Sequence, residues 1–182
     1  MTYRPKFFAG IELDEHARAA CVAVSARLQA AAFPGRFEAP EKLHITLAFL
    51  GWVDAKRVEA IRDALQAVAQ NQAPFDITLD RVGAFPHERR PRIIWLGSHD
   101  QGEGFRRVAR AAQAAYEDLG FTFTQDAVAH VTIARVKEGR AHLPMLDMEA
   151  VRMRVAHISL FESLPDARTT RYEVRDRAAL NG

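Results

Sequence analysis

The chain carries an internal repeat at a fixed offset, and this repeat restricts the possible folds more than any other feature. The tetrapeptide HITL begins at His44, and HVTI begins at His130, 86 positions later. At the same offset the segment FFAGI aligns with IIWLG, and Asp14 aligns with Asp100. Self-similarity at one offset over several elements indicates a duplicated structural unit. We therefore expect two strand–helix–strand units around a pseudo-twofold axis, forming two lobes with a cleft between them.

Local patterns predict the elements of each unit. Apolar residues at helical spacing predict three helices, one from Asp14 to about Ala32, one after Asp54, and one between Gly104 and Gly120. The segments FFAGIEL, LHITLAFLG, FDITLDRVGAF and RIIWLGS read as strands, as do VRMRVAHISLFES and TTRYEVRD near the end of the chain. This mixture of helices and strands predicts the α+β class.

Composition limits the function classes. With 182 residues, of which 48% are hydrophobic, the chain is expected to form a single bilobal domain over 1–182. Its net charge of +2 excludes a surface that grips duplex nucleic acid non-specifically. The single cysteine, Cys21, excludes a disulfide framework and a cysteine-based zinc site. No membrane-spanning run or leader peptide is evident, so a cytoplasmic location without membrane contact is expected.

The two histidine strands share one alternation. Successive side chains of a strand point to opposite faces, so His44 and Thr46 share a face about 7 Å apart. His130 and Thr132 do the same in the second strand. A single His-x-Thr is most simply a half-buried sheet residue with a satisfied hydrogen bond. Two copies at matching positions of a duplicated unit indicate function instead.

Two imidazoles and two hydroxyls facing one cleft suit displacement at phosphorus. One imidazole can donate a proton while the other accepts one, because the ordinary histidine pKa lies near neutrality. Threonine hydroxyls can hold the non-bridging oxygens of a phosphodiester. Zinc hydrolases usually need three ligands, and neither histidine strand carries an Asp or Glu on the face of its histidine. We expect no metal and no other cofactor.

These segments resemble a known group. FFAGIEL, LHITLAFLG, PRIIWLG, HVTIAR and LFESLPDARTTRYEV together resemble the two-histidine phosphoesterase superfamily, and within it the LigT-like RNA 2',3'-cyclic phosphodiesterases, also called 2'-5' RNA ligases. The resemblance implies two antiparallel sheets around a central groove, with the helices outside. It also implies hydrolysis of a terminal 2',3'-cyclic phosphate of RNA to a 2'-phosphomonoester, with reversible 2'-5' joining of tRNA halves as a related reaction.

The resemblance also assigns roles to residues. His44 is implied to be the proton donor and His130 the proton acceptor, with Thr46 and Thr132 holding the phosphate oxygens. The residues alone do not distinguish the two histidines, because the two strands are nearly symmetric.

Further candidates for substrate or phosphate binding are less well defined. Strict alternation places Arg135 on the hydrophobic face, so it reaches the phosphate only if the strand bulges or ends there, or if its side chain wraps back. The DARTTRYEV segment offers Arg168, Arg171 and Tyr172 near the nucleotide. Phe8 could stack on a base or pack in the core.

Two alternatives remain open at this stage. One is another two-histidine phosphodiesterase, acting on 2'-5' oligonucleotides or small cyclic nucleotides. The other is a non-catalytic module that binds RNA ends. In every case RNA or a nucleotide is the expected partner, and the protein is expected to be a monomer.

Overall fold

The computed structural model describes residues 4–137, 141–166 and 169–182, and each α-helix in this part of the chain lies between two strands in sequence. The strands in this part of the chain are β1 Lys6–Glu12, β2 Arg36–Phe37, β3 His44–Trp52, β4 Phe75–Leu79, β5 Arg81–Phe85, β6 Ile93–Gly97, β7 His130–Arg135, β8 Val151–Val155, β9 His157–Pro165 and β10 Thr170–Ala179. The helices are α1 Glu15–Ala30, α2 Val58–Gln70 and α3 Glu103–Glu117. The expected α+β class is confirmed.

The strands form two antiparallel sheets, the number that the resemblance implied, although among the described residues only the larger sheet contributes to the groove lining. The larger one has the order β10-β9-β1-β3-β7-β6-β5, with β2 added beside β7, and the smaller one pairs β4 with β8. The two histidine strands, β3 and β7, meet at the centre through one residue pair, Ile45 with Val131. The two sides of the groove are therefore halves of one sheet. We call β10, β9, β1 and β3 the first half, and β7, β6, β5 and β2 the second half.

The first helix begins where the sequence predicts. The backbone N–H of Ala17 donates to the Asp14 carboxylate at 2.7 Å, which satisfies one of the free donors at the helix start. The helix ends at Ala30, two residues earlier than expected. At the second helix, Asp54 caps a short 3-10 turn by accepting from the backbone of Lys56 at 3.1 Å. The α-helix proper begins only after that turn.

The helices pack on the face of the large sheet that is opposite the groove. Helix α1 contacts β7, and α3 contacts β3. The helix of each sequence repeat therefore covers the histidine strand of the other repeat. The buried apolar side chains between them include Leu28, Ile45, Phe105 and Ile133. Cys21 is also fully buried there, and burial raises the pKa of its thiol to about 12. The thiol therefore acts as a small core side chain.

Both histidine strands carry a bulge at the same position. Along β3 the pairing with β1 skips Leu47, and along β7 the pairing with β6 skips Ile133, the residue 86 positions later. Each bulge buries two consecutive residues and reverses the alternation beyond it. Strict alternation along β3 would place Phe49 on the hydrophobic face, and this expectation is wrong because the bulge turns Phe49 to the groove. Arg135 reaches the groove for the same reason.

Among the residues that the structure describes, no helix is long and apolar enough to cross a membrane.

Candidate active site

A groove with a cavity of about 200 Å³ lies where β3 and β7 meet, and the four predicted motif residues line it. They are His44 and Thr46 from β3 and His130 and Thr132 from β7. Alternation within each strand places the imidazole and hydroxyl on the same face, and the contact of the two strands at the centre of the sheet brings the two pairs together. The four residues that the sequence repeat marks as functional are therefore brought together by the fold.

His44 is oriented by the backbone of its own segment. Its Nδ1 lies 2.7 Å from the carbonyl oxygen of Lys42. Since a carbonyl only accepts, Nδ1 carries the proton in the neutral ring and donates it. Nε2 then has a free lone pair and lies 3.2 Å from the hydroxyl oxygen of Thr46. The nitrogen left for proton transfer is therefore Nε2.

His130 is held in the same way. Its Nδ1 lies 2.9 Å from the carbonyl oxygen of Val128, which again stands two residues before the histidine. The same assignment of protons follows, and Nε2 is the nitrogen available to a ligand. The two copies of the repeat thus set both the position and the tautomer of their imidazoles.

Aromatic rings enclose both imidazoles, but to different extents. The ring of His44 lies 4.6 Å from Phe8, 5.2 Å from Tyr172 and 5.6 Å from Phe161, measured between ring centroids. The ring of His130 lies 5.1 Å from Phe85 and 6.4 Å from Trp95. His44 is the more tightly enclosed of the two.

Enclosure changes the protonation of both rings. Burial, together with the positive charges of His130 when protonated and of Arg135, lowers the pKa of His44 to about 4, although the hydrogen bond to Lys42 and the charge of Glu38 oppose the shift. Burial, helped by Arg135, also lowers the pKa of His130. Both rings are therefore neutral at pH 7 in the empty groove. A bound phosphate anion shifts both pKa values in the opposite direction, because its negative charge favours a proton on one of the two rings.

A three-membered ion-pair network completes one side of the groove. Glu38 accepts from the Lys42 ammonium at 3.1 Å and from Nε of Arg135 at 3.0 Å. Burial alone would raise the pKa of Glu38, but the two cations outweigh it, so that this pKa is lowered and the carboxylate stays ionised. The side chain of Arg135 remains 48% exposed, which leaves the rest of its guanidinium accessible to a phosphate in the groove.

Glu38 and Lys42 line the groove, although the motif did not reveal them. A weak signal exists, since they form an i, i+4 pair just before the histidine strand. The carbonyl of Lys42 also orients His44. Charge pairs at this spacing are so common on protein surfaces that the sequence alone does not mark this one as part of a site.

The other predicted binding residues have different outcomes. Tyr172 lines the groove, whereas Arg171 donates to Glu173 at 2.8 Å and does not belong to the described groove lining. The ring of Phe8 is only 3% exposed and stacks on Phe161 at 4.8 Å. Phe8 also belongs to the groove lining and packs beside the imidazole of His44, so the structure favours the packing role, and stacking on a base stays a prediction. Arg168 lies outside the described residues.

Over 4–137, 141–166 and 169–182, no cluster of three or more His, Cys, Asp or Glu side chains has the arrangement of a metal site.

A fold with two bulged histidine strands around one groove defines a two-histidine phosphoesterase. The sequence-family model that describes LigT-like phosphoesterases matches this chain twice, at residues 11–95 and 96–172, with one match for each copy of the repeat. The chain belongs to this family.

Relatives and solved structures agree with this assignment. The chain is 34% identical to the RNA 2',3'-cyclic phosphodiesterase of Archaeoglobus fulgidus over 72% of its own length and 73% of that protein. It is 30% identical to the enzyme of the same name from Methanothermobacter thermautotrophicus, over 86% and 88% of the two chains. The crystal structure of E. coli LigT complexed with 3'-AMP superimposes with a TM-score of 0.80 at 25% identity, covering 99% of this chain and all of that one.

Proposed function

We propose that this protein hydrolyses the terminal 2',3'-cyclic phosphate of RNA to a 2'-phosphomonoester. The observation that carries the proposal is the pair of imidazoles on one groove, each anchored through Nδ1 to a backbone carbonyl and each with Nε2 available. The relatives named above are RNA 2',3'-cyclic phosphodiesterases, and a crystal structure shows E. coli LigT complexed with 3'-AMP. These similarities support the same substrate class here.

In the proposed mechanism His130 is the base and His44 is the acid. Nε2 of His130 takes a proton from water, and the water oxygen forms a bond to phosphorus. The bond from phosphorus to the 3'-oxygen breaks, and protonated Nε2 of His44 gives its proton to that oxygen. The products are a 2'-phosphomonoester and a 3'-hydroxyl. Exchange of one proton with solvent at each histidine then restores the starting state.

The acid needs a proton that the empty groove does not favour. Since the pKa of His44 is about 4 without a ligand, its protonation has to accompany binding of the phosphate anion. The assignment of acid and base follows the family resemblance, because both rings have the same backbone anchor.

The remaining groove residues stabilise the charge on phosphorus in this proposal. The hydroxyls of Thr46 and Thr132 donate to the non-bridging oxygens, and the guanidinium of Arg135 neutralises the charge that develops on them. Glu38 fixes Nε of Arg135 and thereby directs the terminal nitrogens of that side chain. Tyr172 contacts the nucleotide next to the acid. No cofactor takes part in any of these steps.

The test is incubation of a short RNA ending in a 2',3'-cyclic phosphate with the protein and excess EDTA, followed by separation of the products. We expect 2'-phosphate only, with equal rates with and without EDTA. A panel that adds a 2'-5' dinucleotide and a small cyclic nucleotide compares the substrate classes. No turnover of the RNA, or release of a 3'-phosphate, contradicts the proposal.

The same groove supports 2'-5' joining if the 5'-hydroxyl of a second RNA replaces water as the nucleophile. The nucleophile then becomes the 5'-oxygen of a new phosphodiester, the 3'-oxygen leaves with a proton, and no ATP is consumed. We propose tRNA halves as the substrates of this reaction in the cytoplasm. Incubating tRNA halves with the protein and sequencing across the junction tests it, and the absence of a 2'-5' junction contradicts it.

We also propose that residues 1–182 act as one bilobal, monomeric domain built from a duplicated unit. Both histidines and both threonines come from one chain, so the groove needs no second copy. Light scattering at catalytic concentration measures the mass, and a dimer contradicts this proposal.

A further inference from the structure

Two large aromatic side chains are exposed beside the groove. Phe49 is 56% exposed and Trp52 is 64% exposed, both near the end of β3 beyond the bulge. Phe49 belongs to the groove lining, and Trp52 follows it on the same strand. Exposed aromatic rings cost hydrophobic free energy and are common where a protein binds a partner or ligand. If they were only isolated surface residues, their position next to the groove that holds His44 and His130 would have no explanation.

A lysine accompanies both rings. Lys6 pairs with Trp52 across the β1–β3 ladder, so the backbone fixes their proximity. Its ammonium lies 5.2 Å from the ring centroid of Phe49 and 5.8 Å from that of Trp52. Lys6 also lines the groove that holds the histidines. The three residues, which we call the aromatic–lysine platform, thus form one surface that continues the groove outward.

The charge of Lys6 distinguishes it from the other cations of the groove. Lys42 and Arg135 both share an ion pair with Glu38, as described above. Lys6 makes no ion pair with any carboxylate in the part of the chain that the structure describes. Its charge is therefore available to an anion that lies on the platform.

We propose that the aromatic–lysine platform binds the nucleotide immediately 5' of the cyclic-phosphate nucleotide, an inference that rests on the proposed function. An RNA whose 3' end occupies the groove can continue only from its 5' side. The phosphate that links the last two nucleotides meets Lys6, and the next base stacks on Trp52 and Phe49. Aromatic stacking with a nearby cation is the usual way in which proteins hold single-stranded nucleic acid without reading its sequence.

The platform predicts a preference for substrate length. We would compare kcat/KM for a nucleoside 2',3'-cyclic phosphate with that for a trinucleotide ending in the same group. The wild type is expected to favour the trinucleotide by roughly tenfold or more, the range typical of one stacked base. Trp52→Ala is expected to reduce this ratio towards one. Lys6→Met is expected to reduce it as well and to weaken its dependence on salt.

Two variants serve as controls. Lys56→Met removes an exposed lysine from the turn before α2, and Met145→Ala removes an exposed apolar side chain outside the groove. Both are expected to keep the wild-type length preference. Equal kcat/KM values of the wild type for the two substrates, or a preference that survives Trp52→Ala, overturn the inference while leaving the proposed function in place.

A binding measurement tests the platform even if no substrate is turned over. The probe is a trinucleotide ending in a 2'-phosphate, compared with the corresponding nucleoside 2'-phosphate, with affinity followed by calorimetry. We expect the trinucleotide to bind at least several-fold more tightly to the wild type, and the two ligands to bind alike to Trp52→Ala. Equal affinities of the wild type for both ligands contradict the platform whatever the outcome of the activity assay.

Discussion

The two histidine strands share one backbone pattern around their histidines but have different surroundings. In both, the imidazole donates to the carbonyl two residues before it, and in both the strand bulges three residues after the histidine. They differ beyond the bulge, where β3 places Phe49 in the groove and β7 places Arg135. They differ also in enclosure, since His44 has three aromatic neighbours within 6 Å and His130 has one. A symmetric frame thus holds an asymmetric site.

Removing either imidazole is the strongest test of whether both strands act in catalysis. We expect His44→Ala and His130→Ala each to lower kcat by about a hundred- to ten-thousand-fold, because each removes a positioned acid or base. The measurement is steady-state hydrolysis of a cyclic-phosphate RNA. His16→Ala, which removes an exposed histidine of α1, is the matched control and is expected to leave kcat unchanged. Substantial activity in one alanine variant would mean that only the other strand is catalytic.

Replacing Arg135, the groove residue beyond the bulge of β7, is expected to have the next largest effect on activity. Replacing Arg135 by Met removes the charged contact to the phosphate, and we expect kcat/KM to fall by roughly 30- to 150-fold, or about 2 to 3 kcal/mol. Arg36→Met is the control, because this exposed arginine pairs with Arg135 across β2 and β7 but does not belong to the described groove lining. Equal effects of the two substitutions would show that only the general positive charge of the region is used.

The two threonines should have smaller and unequal effects. Thr46→Val and Thr132→Val each remove one hydroxyl, which is worth about 1.5 kcal/mol, or roughly tenfold in kcat/KM. Thr46→Val is expected to cost more, because its hydroxyl also contacts Nε2 of His44 at 3.2 Å. Serine at either position is expected to restore most of the activity. Failure of serine to restore it would point to a packing role for the methyl group.

The pH optimum of kcat/KM is expected to respond to the charge of Arg135, which is a smaller effect than those above. Both pKa values are lowered in the free protein, so the optimum is expected on the acidic side of 6.5, with activity falling as pH rises above it. The positive charge of Arg135 contributes to both shifts, so Arg135→Met should move the optimum upward. A profile that stays in place in this variant would contradict the electrostatic coupling.

The same shifts predict a change of stability with pH. A histidine whose pKa is lower in the folded protein binds protons more tightly when unfolded. The free energy of unfolding should therefore decrease as pH falls from about 6.5 towards the folded pKa of His44, about 4. His44→Gln should flatten the curve in this window, and chemical denaturation at a series of pH values would measure it. An unchanged slope would show that His44 is protonated as easily in the folded protein as in the unfolded chain.

Much of this arrangement follows from local sequence. Strand alternation alone places His44 with Thr46 and His130 with Thr132, and the repeat indicates that the two pairs meet. The cap at Asp14 marks the start of α1 correctly. These features depend on residues close together in the chain, which is why periodicity and capping chemistry predict them.

Alternation leaves a bulge before Arg135 as one of three alternatives and cannot choose among them, because a bulge is a property of two paired strands. The skipped residue, Leu47 in β3, is an ordinary buried leucine, and only its register against β1 shows that it has no partner. The same holds for the platform residue Lys6, whose role depends on a cross-strand neighbour 46 residues away. The sequence leaves Phe8 either to stack on a base or to pack in the core, and its packing on Phe161 depends on a strand near the other end of the chain.

The paired bulges also determine how these motifs must be spaced. In a regular strand every second side chain points to the same face, so the residues that contact one ligand are two positions apart. Here the groove receives positions 44, 46 and 49, and 130, 132 and 135, a spacing of two and then three. If a single bulge were flattened with the sequence unchanged, strict alternation would exchange a groove side chain for a core one in that strand and leave the other strand as it is. The spacing of two and then three is therefore as much a part of the motif as the identities of its histidines.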